Sequence, residues 1–162
     1  MSPKGPAKWT TDHTDCLNSL AADILRGMTL ALADTTRPMT LFVEVDEAHA
    51  GAILAQENNG RLCPIATRGK DLLPTEKRLP LLERLLVSAV WFLTKFVKYC
   101  AYAPRIDLVL PTRLELSALQ AKTLPVRIQA QLVLLTGFNV SFSCGEGAFG
   151  MVRELGMLEW GP

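Results

Sequence analysis

The chain has 162 residues, 49% of them hydrophobic, and a formal net charge of +1, which allows one domain with a sizeable core. Near-neutral charge excludes the strongly basic type of nucleic-acid-binding domain. No apolar run reaches the roughly 18 residues that span a bilayer; the longest candidate, Leu81 to Cys100, is interrupted by Glu83, Arg84, Lys95 and Lys98.

The opening "MSPKGPAKW" has no apolar core of a signal peptide, so residues 1–8 are expected to be a flexible lead and the protein intracellular. A helix is predicted over 11–26. Thr and Asp stand at its start as caps, and Leu17, Leu20, Ala21, Ile24 and Leu25 follow at helical spacing. Pro38 sets up an extended approach to the first strand, "MTLFVEVD". "AGAILAQ" is predicted as the second strand and "LCPIATRG" as the third. Asn59-Gly60 between them is a strong hairpin signal. Pro64 inside the third strand predicts an edge position or a bulge.

"RGKDLLPTEKRLP" is expected to be a loop. From Leu81 the apolar period lengthens to that of a helix. Leu82, Leu85, Leu86, Ala89, Val90, Leu93, Phe96 and Val97 form its buried face. "RIDLVL" is a fourth strand ended by Pro111, and "TRLELSALQA" a short helix. "PVRIQAQLVLLT" is a helix with Pro125 in its first turn, and "FNVSFS" a last strand. A domain over 9–144 with a tail at 145–162 follows. Its class is α/β, a mixed five-stranded sheet flanked by helices, in which an antiparallel three-strand meander leads to further strands.

Cys16, Cys63, Cys100 and Cys144 are widely spaced with no CxxC pair, as expected of buried, reduced thiols rather than a zinc site. His13 and His49 have no Ser or Cys at a catalytic spacing. The glycines of "CGEGAFG" lack the Lys-Ser/Thr of a phosphate loop. No cofactor is expected.

The ordered series "MTLALADTTRPMTLFVEVDEAHAGAILAQ" and "PIATRGKDLLPTEKRLP" resembles the segment that follows the polymerase domain in reverse transcriptases of retroviruses and LTR retrotransposons. The resemblance runs from about Trp9 to Phe142, and it implies the ribonuclease H fold. Active members use four carboxylates, from the first strand, the long helix, the fourth strand and a late helix. These hold two Mg²⁺ ions roughly 3.5–4 Å apart. Connection-type domains, as in the gammaretroviral branch, keep the fold without those carboxylates.

Position by position, the first-strand carboxylate matches Asp46. Aligned on the "VW" step of the long helix, the helix position falls on Leu85; Glu83, two residues earlier, is about 200° away round the helix. The fourth-strand position falls on Pro111, where connection domains also carry proline. Between Leu116 and Cys144 there is no Asp or Glu. The resemblance therefore implies no metal site, with Asp46 a vestige and a solvated turn residue. The expected function is that of a catalytically inactive module, structural, docking or weakly touching nucleic acid, in a larger protein. A domesticated, retrovirus-derived host protein is the expected setting. The alternative is an active ribonuclease H cleaving RNA–DNA hybrids. Expected partners are other domains of the same polypeptide or other proteins, and non-specific nucleic acid. Lys95, Lys98, Arg105, Arg113, Lys122 and Arg127 are the candidate phosphate contacts. Trp91, Phe92 and Phe96 could stack on bases, but their place in the helical pattern predicts core.

Overall fold

A computed structural model describes residues 33–145. The lead at 1–8, the helix expected over 11–26 and the tail beyond 145 lie outside the described residues. The elements are β1 (Met39–Val45), β2 (His49–Asn58), β3 (Arg61–Asp71), α1 (Pro74–Lys77), α2 (Leu81–Lys95), α3 (Val97–Cys100), β4 (Ile106–Leu110), α4 (Arg113–Leu119), α5 (Val126–Leu135) and β5 (Val140–Cys144). They build the expected five-stranded mixed sheet, in the order β3-β2-β1-β4-β5. β1 is antiparallel to β2 and parallel to β4, and β4 is parallel to β5.

The hairpin between β2 and β3 turns on Asn59 (φ 53°) and Gly60 (φ 77°). Two successive left-handed residues match the twist of the flanking strands, and Asn-Gly adopts that pair at low cost. Pro64 satisfies both expectations made of it. β3 is an edge strand, and its register against β2 steps from Ala66 opposite Leu54 to Pro64 opposite Ala55. Ile65 is left over as a bulge beside the residue that lacks an N–H.

Alternate β1 residues Met39, Leu41 and Val43 face the main core. There they meet Ala52 and Leu54 of β2, Ile106 and Leu108 of β4, and Leu85, Leu86, Ala89, Phe92 and Leu93 of α2. Ile128 and Leu135 of α5 close it. Phe42, Ile53 and Val109 point to the other face of the sheet and are also buried. Gln56, the polar end of "GAILAQ", is buried too. Its amide accepts from Asp34 N (2.9 Å) and donates to Asp34 O (2.7 Å), which ties the approach segment to β2.

Three local expectations are corrected. The stretch read as a loop after β3 is ordered: pairing of Asp71 with His49 prolongs β3. Glu76 then makes a helical turn, accepting from Leu73 N (2.8 Å) and from the Lys70 ammonium (2.7 Å). The long helix stops at Lys95, because Phe96 (φ −94°, ψ 14°) leaves helical geometry before α3 resumes. That break turns Val97 outward, 49% exposed, instead of into the core. Pro125 is the residue before the first helical one rather than within the turn.

Ser88 is wholly buried, and its hydroxyl has no hydrogen-bond partner among the described residues. Of the three thiols among the described residues only Cys100 is buried, while Cys63 and Cys144 are half-buried; Cys16 lies outside the described residues. Burial pushes the Cys100 thiol up to about 11, so it is protonated and inert at neutral pH.

Candidate functional site

In open α/β sheets the chemistry gathers where strand order reverses, beyond the carboxyl ends of the strands. Here that point is β1, with β2 on one side and β4 on the other. Phe42 of β1 pairs with Val109 of β4. Asp46 and Pro111 follow their strands beyond that pair, so both lie at the same end of the sheet.

Asp46 is not the solvated turn residue expected. It is half-buried, and its Oδ1 accepts the backbone N–H groups of Ala48 and His49, each at 2.6 Å. Its own N–H donates to His49 O (2.9 Å), which closes the tight loop from β1 to β2. Its Oδ2 is buried and takes no hydrogen bond among the described residues. The His49 ring lies between two carboxylates, with Nδ1 3.6 Å from Asp46 Oδ1 and Nε2 3.4 Å from Asp71 Oδ1. A carboxylate capping two N–H groups contributes about 1 kcal/mol. Asp46→Ala should therefore lower unfolding stability by about that much and Asp46→Asn by less. Urea melts of both variants check this; an unchanged Asp46→Ala midpoint would show the loop holds itself.

Leu85 is 1% exposed and packs in the main core. Glu83, two residues earlier, is buried on a different side of α2, with its carboxylate 4.0 Å from the Arg127 guanidinium of α5. Pro111 passes the chain into α4, where Thr112 caps the helix by accepting from Leu114 N (3.2 Å). Glu115 is a further buried acid at this end, and its carboxylate bonds the Thr112 hydroxyl. Among the described residues no three of His, Cys, Asp or Glu come together as metal ligands. The donors present do not fit a two-metal centre, which needs several carboxylates converging on the ions. Glu146, Glu154 and Glu159 of the tail lie outside the described residues.

Arg84, which carried no expectation, organises this edge. Its Nη1 donates to Asp46 O (2.8 Å), and its Nη2 to Lys77 O and Leu79 O (3.0 Å each). One planar guanidinium thereby joins the β1–β2 loop to the approach of α2. The signal available was the one arginine of α2, next to Glu83 near its start.

The six candidate phosphate contacts do not form one surface. α2 starts beside Asp46 and runs about 22 Å, so Lys95 lies toward the other end of the sheet. Lys98 follows in α3. Arg105 precedes β4, and its carbonyl accepts from Met39 N (3.0 Å) at the start of β1. Arg113 follows β4, at the opposite end of that strand, and Arg127 opens α5 beside Glu83. Lys122 is exposed between α4 and α5. Phe92 and Phe96 are core, as expected, with ring centroids 6.5 Å apart. Trp91 is only half-buried and carries two ammonium groups near its ring, Lys70 at 5.1 Å and Lys95 at 5.2 Å.

The family model described as "RNase H-like domain found in reverse transcriptase" matches residues 9–106, more than half of the chain. The Gag-Pol polyprotein of Baboon endogenous virus (strain M7) is 26% identical over 110 residues, covering 68% of this chain and 6% of that protein. The foamy viral protease-reverse transcriptase in complex with dsDNA has the same fold over 90% of this chain and 32% of its own, with a TM-score of 0.59 and 23% identity. The same enzyme in complex with RNA/DNA hybrid matches 85% of this chain and 19% of its own, with a TM-score of 0.54 and 24% identity. The chain thus spans a small part of each relative. The match over 9–106 and the sheet order together show that this chain belongs to the family of RNase H-like domains found in reverse transcriptases.

Proposed function

We propose that this domain is a catalytically inactive RNase H-like module that docks within a larger protein and touches nucleic-acid backbone weakly. The observation that carries the reading is the fate of the carboxylate positions. Leu85 is spent in the core, Pro111 has no acid to offer, and Asp46 Oδ1 is occupied by two backbone N–H groups. Docking draws support from α5, which is apolar on both sides. Ile128 and Leu135 face the core, while Val126, Val133 and Leu134 are 79%, 66% and 56% exposed. Val126, Val133 and Leu134 fall within about 100° of one another round the helix and make one exposed apolar patch. Nucleic-acid contact draws support from the foamy viral relative bound to dsDNA and to an RNA/DNA hybrid. The setting proposed is a domesticated, retrovirus-derived host protein working inside the cell; its support is the retroviral likeness alone. Sequencing the complete transcript and finding an intact viral polymerase frame would overturn that setting.

Purified domain incubated with a labelled RNA–DNA hybrid and Mg²⁺ or Mn²⁺ should show no cleavage; cleavage abolished by Asp46→Asn would refute inactivity. Duplex binding by fluorescence anisotropy should fall in the non-specific range of about 10⁻⁴–10⁻⁶ M and weaken with salt. It should also weaken in a Lys95→Glu/Lys98→Glu variant. Tight binding indifferent to salt and to that variant would refute backbone contact.

A further inference from the structure

We propose that the end of the sheet where β4 begins is a binding site for unpaired nucleotides, with Tyr102 as the stacking platform. The proposal deepens the nucleic-acid contact above and rests on that reading. From Arg84 to Ile106 the sequence has four cations, Arg84, Lys95, Lys98 and Arg105, and no acid. Arg84 is used inside the fold, which leaves three exposed cations around the turn from α3 to β4. A domain of net charge +1 therefore carries a local positive field here.

Tyr102 stands in that turn, 83% exposed, the highest exposure of any large hydrophobic side chain among the described residues. The residues on each side of the turn are anchored. Cys100 is buried, and Ala103 is buried with its N–H on Cys100 O (3.2 Å). Pro104 O takes the Asn139 side-chain amide. The ring is thus presented to solvent on a fixed backbone, which keeps the ordering cost of stacking low. Lys98, one turn before it, already lies 4.9 Å from the Tyr99 ring, so cations and aromatic rings alternate across the surface.

Among the described residues no carboxylate forms an ion pair with Lys95, Lys98 or Arg105. Asp107 is half-buried and bonded to Ser143 Oγ (3.0 Å). Asp34 keeps its charge, its carboxyl held below the usual range by the Thr36 hydroxyl and N–H, and has the Arg37 cation beside it. Glu57 follows the paired core of β2, on the far side of β1 from β4. Cations alone would suit a duplex backbone. A bare aromatic ring among them adds a term that only unpaired bases collect, because a duplex keeps its bases stacked on each other.

The test titrates the intact chain with a short fluorescein-labelled oligo(dA) and with a blunt DNA duplex of the same length. Single strand should bind more tightly than duplex. Tyr102→Ala should weaken single-strand binding about 5- to 150-fold, the range of one base–aromatic stack, and leave duplex binding unchanged. Tyr102→Phe should keep wild-type affinity, since it keeps the ring. Circular-dichroism melts should coincide for all three proteins, because the side chain is exposed. Equal single-strand affinity for wild type and Tyr102→Ala overturns the stacking platform while leaving backbone contact in place. No binding of either probe overturns both.

Discussion

Leu85→Glu should leave most of the domain unfolded at neutral pH. The position is where an active nuclease would hold a metal-binding carboxylate, so the substitution reintroduces the missing chemical group. Here the side chain at 85 is 1% exposed and surrounded by core. An unpaired carboxylate there would lose its hydration with nothing to replace it, at a cost of several kcal/mol. Net stability of a small domain is only about 5–15 kcal/mol. Leu85→Met, which nearly conserves volume, should cost less than about 1.5 kcal/mol. Urea melts followed by far-UV circular dichroism read both. If Leu85→Glu were as stable as Leu85→Met, residue 85 would not be packed in the core.

Leu86→Ala should lower stability by about 2–5 kcal/mol, the range for a large apolar side chain removed from a packed core. Leu86 is fully buried in the main core. Val97→Ala, by contrast, should fall within about ±0.5 kcal/mol, the range of an unremarkable surface site. Both residues sit on the same apolar stripe when the sequence is read as one continuous helix, so periodicity alone gives them equal weight. The Phe96 break separates them. Comparable losses in the two variants would mean that the helix continues through Phe96 in solution.

Much of the architecture was legible before the structure because it rests on short-range rules. Asn59-Gly60 demands a left-handed pair, and the hairpin is there. Alternation in "MTLFVEV" sorts Met39, Leu41 and Val43 to one face and Phe42 to the other. Pro64 lacks an N–H, so it had to sit on an edge or beside a bulge, and it does both. The mixed sheet and its helical layer follow from the element series under the rules for crossovers.

What the sequence determined by itself was therefore most of the inventory: the five strands, the longer helices and which acids stand at the family's positions. What only the tertiary structure decided was how polar groups are spent. The engagement of Asp46 with the N–H groups of Ala48 and His49, of Arg84 with three carbonyls, and of Gln56 with Asp34 depends on which backbone atoms the fold brings within hydrogen-bond reach. The split of the candidate basic surface has the same origin. Charges such as Arg105 and Arg113 are near in sequence but stand at opposite ends of β4, because a strand extends by about 3.3 Å per residue. Propensity and periodicity act over a few residues, whereas hydrogen-bond partners and charge patches are set by contacts between residues tens of positions apart.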